Sequence, residues 1–397
     1  MLSVSDATQR ILAKLPTPRR EQVPIAEAIG RVCAVDASAT RALPPYDNSA
    51  MDGFAVRSAD LPGTLAVAGT IAAGDNPDRA LPPGQVLRIM TGAPMPHEAD
   101  AVVMRENVAD HGDTADFAEP AIVGRHIRRA GEDVTIGDTI VSAGANIDAG
   151  AIGLLAAQGY ATIAVTTRPR VAIISTGDEL VEVDVAPGPG QIVNSNAHAL
   201  AAQIREAGGE PLNLGIARDD LQASIDILQR AIDADMIVTC GGVSVGDFDF
   251  VKEALDAVHI DVDFWKVAIK PGKPLVFGHT PSGAPVLGLP GNPVSAMVTF
   301  EVFGRPLVRA LLGAKHRDRP VVPVELGRAV RKSPGRAHYL RAQLHRDGNR
   351  LIARTHPKQG SGMLSSMLDV DALVIIAADA GDQPEGAAAE ALLLRSV

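Results

Sequence analysis

Aromatic side chains are scarce in this chain of 397 residues. It has eight Phe, three Tyr and one Trp, and the basic stretch 315–358 contains only Tyr339. Base stacking needs aromatic platforms, so recognition of RNA or single-stranded DNA is not expected there. Cysteine is nearly absent. Cys33 and Cys240 cannot build a disulfide framework, and no CxxC pair offers a zinc site. The N-terminus, MLSVSDATQR, lacks a basic n-region and an apolar h-region, so no secretory signal is expected. The uncharged run 149–167 is broken by Gly150, Gly153, Gln158 and Gly159, and fits a core helix and a strand better than a membrane span. Neither a GxGxxG fingerprint nor a GxxxxGK[ST] phosphate loop occurs. These absences point to a cytoplasmic protein that binds neither nucleic acid nor membrane.

Apolar residues make up 46% and charged residues 21%, the composition of a folded protein. The length suits two to four domains. The formal charge of −10 is unevenly spread. Residues 1–263 carry 19 bases and 37 acids, whereas 264–397 carry 18 bases and 10 acids. Within that second part, 264–300 has three lysines and no acid, and 315–358 has twelve bases against three acids. An acidic body with a basic end suggests an anionic ligand met locally.

The pattern divides the chain. Ala7, Ile11 and Leu12 share a helical face in a segment ending at Pro16, and Ile147–Ala156 again reads as helix. Between them, 41–137 holds short strands separated by Pro- and Gly-rich turns, a β-rich module inserted into a helical linker of 1–40 and 138–168. Residues 169–314 alternate: strand Val171–Ser175, helix Ala197–Ala207, strand Leu212–Ile216, a helix spacing Leu221, Ile225, Leu228 and Ile232, then strand Met236–Thr239. That βαβαβ order implies a parallel sheet covered by helices, with ligands beyond the carboxyl ends of its strands. Residues 315–397 read as a small β domain.

Four loops could carry chemistry. Ser175-Thr176-Gly177-Asp178-Glu179-Leu180 follows a strand and is either a strand-to-helix turn capped by Asp178 or a ligand loop. Cys240 to Asp249 contains Gly241, Gly242, Ser244, Asp247 and Asp249. Its glycines allow close backbone approach and its acids could hold a divalent cation, or they are an ordinary turn with capping acids. Lys266, Lys270 and Lys273 lie on a Pro-stiffened loop suited to phosphate or oxyanion, or simply solvated. Gly288 to Ser295 places Asn292 as an N-cap and Pro293 at the first position of a helix whose positive end would face that loop. The turns around Asp52, Thr91 and Asp133 are by themselves ordinary turn chemistry, and Arg341 and Ser361 ordinary surface residues.

Taken together, nine segments resemble the MoeA family of molybdopterin molybdenumtransferases, which includes the E domain of gephyrin. They are PPYDNSAMDGFAV (44–56), RIMTGAPMP (88–96), ADAVVMRENV (99–108), RRAGEDV (128–134), STGDELV (175–181), GGVSVGDFDFVK (241–252), FWKVAIKPGKP (264–274), GLPGNPVSA (288–296) and QGSGMLSSM (359–367), in family order. GRAHYLR (335–341) keeps the Gly-Arg, the aromatic and the final Arg of the usual pattern, with Ala337-His338 in place of its common polar pair. The resemblance implies a multidomain α/β plus β protein. A discontinuous helical linker (1–40, 138–168) carries an inserted β-rich domain (41–137). A three-layer α/β molybdopterin-binding domain (169–314) and a C-terminal small β barrel (315–397) follow. It implies a homodimer whose cleft takes the β-rich domain of the other subunit.

The implied reaction inserts molybdate into adenylylated molybdopterin with release of AMP, aided by Mg²⁺. Carried over residue by residue, Asp52, Thr91, Asp133, Glu179, Asp219, Asp249, Lys266 and Lys270 would serve catalysis. Thr176, Gly177, Asp178, Gly241, Gly242, Ser244, Lys273, Pro290, Asn292, Pro293, Ser295, Arg341 and Ser361 would bind the pterin nucleotide and the oxyanion. Metal ligation would fall to Asp178, Glu179, Asp247 and Asp249. A molybdopterin adenylyltransferase and molybdoenzyme apoproteins are the implied partners. Other readings are a receptor-anchoring scaffold, as in gephyrin-like proteins, the adenylyltransferase itself, and a homologue that prefers tungstate.

Overall fold

A computed structural model describes residues 1–242 and 248–395. Its centre is a six-stranded sheet in the order Glu210–Ala217, Arg170–Thr176, Met236–Cys240, Pro285–Leu289, Pro274–His279, Asp261–Lys266. The first four strands are parallel, Pro274–His279 pairs antiparallel with both its neighbours, and Asp261–Lys266 at the far edge again runs in the direction of the first four. After Arg170–Thr176 the chain crosses to the edge strand Glu210–Ala217, then returns to Met236–Cys240 on the other side. The strand order therefore reverses at Arg170–Thr176, and a crevice opens beyond its carboxyl end.

Helices cover both faces. Helix Ser195–Ala207 starts at the cap Asn194, stops at Gly208 with φ +99°, and buries Leu200 and Ile204. It shares one face with the helical run from Pro293 to Leu311, which passes through a π turn at Phe300–Gly304. Helix Leu221–Ala231, capped by Asp220, shares the other face with Phe248–Ala257. The spacing of Leu221, Ile225, Leu228 and Ile232 predicts its buried stripe, but the side chains most buried are Ser224, Ile227, Leu228 and Ala231. The stripe is turned because this helix packs on both the sheet and its neighbour.

The β-rich part is a mixed six-stranded sheet, ordered Ala101–Met104, Gly53–Val56, Gln85–Ile89, Gly63–Ile71, Thr114–Phe117, Val108–Asp110. It is inserted into a small linker body around Val23, Cys33, Ile147, Leu155 and Val165. There helix Ala149–Ala157 is joined by two antiparallel ribbons, Arg20–Pro24 with Thr162–Thr166 and Ala37–Ser38 with Thr139–Val141. The N-terminal helix Val4–Ala13 instead buries Ala7 and Ile11 in the core of the α/β body. Arg19 with Asp235 (2.8 Å) and Arg309 with Asn146 (2.6 Å) join linker to body.

The C-terminal strands close a barrel, because Ala337–Asp347 pairs with both Arg350–Thr355 and Ala372–Ile376, the latter linked through Ala388–Leu393 and Val321–Leu326. Two features seat the barrel on the body. Ile269–Lys270 runs parallel to Ala337–His338. Arg319, which joins the two units, pairs with buried Glu301 (2.8 Å) and donates to the Leu394 carbonyl (2.7 Å).

Candidate functional site

A cleft of about 430 Å³ occupies the switch point of the central sheet. Its walls are the two loops that follow strands Arg170–Thr176 and Met236–Cys240, the start of helix Ser195–Ala207, and the turn before Pro293. Of the residues singled out in the sequence, it brings together Thr176, Gly177, Glu179, Asp219, Gly241, Gly242, Pro290, Asn292 and Pro293.

The glycines are required by backbone proximity. Gly241 has φ +98°, and a Cβ there would stand 2.6 Å from the Thr176 carbonyl oxygen and 2.7 Å from Thr176 Oγ1. Two strand ends meet at that point, leaving no room for a side chain. Asp178 and Asp219 tie the neighbouring loops: the Asp219 N–H donates to Asp178 Oδ1 at 3.2 Å, and the Asp178 N–H to Asp219 Oδ2 at 3.4 Å. No helix begins at Asp178, so it caps none. The chain continues through Leu180–Val181 and a loop to Asn194, which is the cap.

Three polar atoms around this cleft are buried without a hydrogen-bond partner among the described residues: Thr176 Oγ1, Asn194 Nδ2 and Asn196 Oδ1. The other ends of both amides are in use. Asn194 Oδ1 accepts from Ser175 Oγ (3.0 Å) and the Ala197 N–H, and Asn196 Nδ2 donates to the Gly291 carbonyl (2.7 Å). Buried polar groups are normally paired, so three such atoms beside one cleft mark where its wall is least satisfied internally. Asn194 and Asn196 were not among the sequence candidates. Cys240 at the cleft floor is inert, its thiol pushed up to about 12 by burial.

The turn before Pro293 also contacts the barrel. Helix Pro293–Thr299 begins at Asn292, whose side chain makes no cap bond. The Val294 N–H instead donates to the Ser361 carbonyl at 3.0 Å. Ser295 is buried, and its carbonyl accepts from Thr299 Oγ1 (2.7 Å). Arg341, expected to face an oxyanion, is 1% exposed inside the barrel wall. Its guanidinium donates to Ser366 Oγ (3.1 Å), the Lys358 carbonyl (2.9 Å) and the Gly360 carbonyl (3.2 Å). Arg341 therefore shapes the loop that delivers Ser361 to the helix start, and burial holds its pKa down to about 10.

Other candidates lie apart from this cleft. Lys266, Lys270 and Lys273 are exposed, and Lys270 faces clefts on the barrel. Asp52 and Thr91 are neighbours, the Thr91 N–H donating to Asp52 Oδ1 at 2.7 Å. Asp133 sits on a separate turn held by the Leu43 carbonyl. Ser244 and Asp247 lie outside the described residues, and Asp249 is described only as part of helix Phe248–Ala257. Among the described residues no three His, Cys, Asp or Glu side chains converge to hold a metal ion, so the described carboxylates do not by themselves make a metal centre.

Comparison with known proteins gives this geometry a family. Three family models match in order: the MoeA N-terminal region (domain I and II) over residues 2–159, a probable molybdopterin binding domain over 172–310, and the MoeA C-terminal region (domain IV) over 323–394. The chain belongs to the MoeA family. It is 36% identical to a molybdopterin molybdenumtransferase of Haemophilus influenzae, covering 97% of both chains. It is 40% identical to molybdopterin molybdenumtransferase 2 of Mycobacterium tuberculosis, covering 88% of this chain and 89% of that one. A crystal structure of the molybdopterin biosynthesis MoeA protein from Pyrococcus horikosii superposes with a TM-score of 0.84 at 30% identity over the full length of both chains. No helix among the described residues is long and apolar enough to cross a membrane.

Proposed function

We propose that this MoeA-family chain is a molybdopterin molybdenumtransferase that inserts molybdate into adenylylated molybdopterin and releases AMP. The observation that carries the reading is the switch-point cleft, walled by Thr176, Gly177, Glu179, Asp219, Gly241 and Gly242. A pterin edge presents both donors and acceptors. The carboxylates of Glu179 and Asp219 and the backbone of the cleft wall would meet it. Gly177, Gly241 and Gly242 let the backbone approach the phosphoanhydride closely. Lys270 and Lys273, on the loop next to Pro274 in the cleft wall, would offset the charge of the oxyanion and of the leaving phosphate.

Mg²⁺ suits hard oxygen donors such as Asp178, Glu179, Asp247 and Asp249. When bound it would neutralise charge on the anhydride. AMP release is then expected to fall on chelation and recover with Mg²⁺. Boundaries at residues 40, 137, 168 and 314, a cytoplasmic location, and hand-over to molybdoenzyme apoproteins belong to the same proposal.

The active unit would be a homodimer in which Asp52, Thr91 and Asp133 serve the other subunit's cleft. Hydrogen bonds and ion pairs of residues 41–137 among the described residues stay within that stretch or reach Ala39, Asp138 and Gln158 of the linker, and none reaches the cleft. Molybdate-dependent AMP release from adenylylated molybdopterin tests the reaction, and its absence would end this reading. Asp52→Asn and Lys270→Ala are each expected to abolish it. Mixing and re-forming dimers of the two should restore about a quarter of wild-type turnover, because half the dimers are hybrids with one intact site. No recovery would refute the shared site.

A further inference from the structure

Three turns of the β-rich domain, those of Asp52, Thr91 and Asp133, are bound to one short strand. Strand Asn48–Ser49 runs between two of them. On one side it pairs antiparallel with Ile127–Arg128, which leads into the turn of Asp133. On the other, the Ser49 N–H donates to the Ala93 carbonyl (3.0 Å) and the Gly92 N–H donates to the Ser49 carbonyl (2.8 Å), next to Thr91. Asp52 follows the strand and accepts from the Thr91 N–H. Asp52, Thr91 and Asp133 are all exposed, and the Asp133 carboxylate has no partner among the described residues. Pairing of two residues is a weak splint for such an arrangement.

Asp47, immediately before this strand, supplies a stronger one. Its Oδ1 accepts from the Ala130 N–H at 2.8 Å and its Oδ2 from Arg129 Nη1 at 2.6 Å. Its own carbonyl accepts from the Met95 N–H at 2.9 Å. One residue therefore holds the turn of Asp133 with its side chain and the segment after Thr91 with its backbone. The Leu43 and Pro44 carbonyls add bonds from the Asp133 N–H (3.0 Å) and the Gly131 N–H (2.9 Å). The turn also closes on itself, the Arg129 N–H donating to Glu132 Oε2 at 2.8 Å.

The two bonds to the Asp47 carboxylate differ in weight. The side chains of Arg129 and Asp47 are 56% and 37% exposed, so their ion pair contributes little. A backbone N–H on a carboxylate is the stronger and better-oriented contact. Partial burial acts to raise the Asp47 pKa, but the Ala130 N–H and Arg129 together hold it below the usual carboxylate range. The acceptor is therefore charged at neutral pH. Asp47 was not among the sequence candidates.

We propose that Asp47 is a positioning residue whose carboxylate fixes the turn of Asp133 against those of Asp52 and Thr91, so that the three side chains meet substrate as one set. Their meeting substrate rests on the proposed function; the brace itself does not.

Asp47→Ala and Asp47→Asn in the full chain test it. Asp47→Ala removes both acceptor atoms, whereas Asp47→Asn keeps an oxygen for the Ala130 N–H and loses the ion pair. Amide exchange at Ala130 should quicken about tenfold or more in Asp47→Ala and stay within about threefold of wild type in Asp47→Asn. In AMP release, Asp47→Ala should lose about tenfold in kcat through misplacement of the three side chains. KM should not change, because no residue of 41–137 lines the switch-point cleft. Asp47→Asn should recover most of kcat. Wild-type exchange at Ala130 in Asp47→Ala would overturn the brace. Quickened exchange with kcat unchanged, or a rise in KM alone, would overturn the positioning role. If wild type itself releases no AMP, the proposed function fails, and the exchange rates still decide whether Asp47 holds the turn.

Discussion

Arg341 is the sharpest place to separate a residue that touches a ligand from one that positions a loop. Replacing it with Met keeps length and removes both the charge and the planar fork. Burial holds the guanidinium pKa down to about 10, which corresponds to about 3 kcal/mol for keeping a cation in the wall. Met recovers that. Against it stand the carbonyls of Lys358 and Gly360, which lose their donor, at about 1–3 kcal/mol each. Ser366 keeps its bond to the Met363 carbonyl (2.6 Å). The balance predicts a loss of at most about 3 kcal/mol in urea denaturation, so the fold survives. The effect on function should be indirect. The 358–361 loop loosens, and with it the bond from the Val294 N–H to the Ser361 carbonyl. Amide exchange at Val294 should quicken and AMP release should fall together. If Arg341→Met abolishes oxyanion binding while Val294 exchange stays at the wild-type rate, Arg341 contacts the anion itself and the positioning role is wrong.

Gly241→Ala places a Cβ 2.6 Å from the Thr176 carbonyl oxygen at φ +98°. Positive-φ strain and overlap together should destabilise the fold by about 2–4 kcal/mol, and an unchanged urea midpoint would mean the strand ends are not so tightly apposed. His338 takes its proton near pH 6.5 in the unfolded chain but only near pH 4 when folded. The unfolded state thus binds the extra proton between those values. Stability is full above pH 6.5 and is lost as pH falls toward 4. His338→Gln should remove that share of the decline, and equal drops in melting temperature from pH 7 to 4.5 for both proteins would contradict it.

The strand-end loops were legible in the sequence because glycine and hydroxyl residues after short apolar strands have few other uses. Thr176, Gly177, Gly241, Gly242 and Pro290 meet in one cleft as that pattern implies. Asn194 and Asn196 were not legible, because Asn-Ser-Asn before a helix looks like ordinary capping. Asn194 does cap Ala197; only the third dimension reveals that the other end of its amide is left over. Arg341 illustrates a different limit. Whether a strand residue points into a barrel or out of it depends on closure, and Ala337–Asp347 acquires its second neighbour from Ala372–Ile376, some thirty positions downstream.

The same dependence on closure explains why the twelve bases of 315–358 could not be sorted by composition alone. Folding assigns Arg319 to Glu301, Arg350 to Glu325 and Asp347, and buries Lys332 and Arg341 against carbonyls. Those charges are structural, and their effect on a ligand is muted because a partner or a ring of dipoles already faces them. Arg331 and Arg336 are left to act on solvent, and the short strand Ile269–Lys270 brings Lys270 beside them from the acid-free stretch 264–300. The two basic segments, separate in sequence, thus become one electrostatic feature at the seam between the α/β body and the barrel. The steep local field lies there, and the net charge of −10 gives no hint of it.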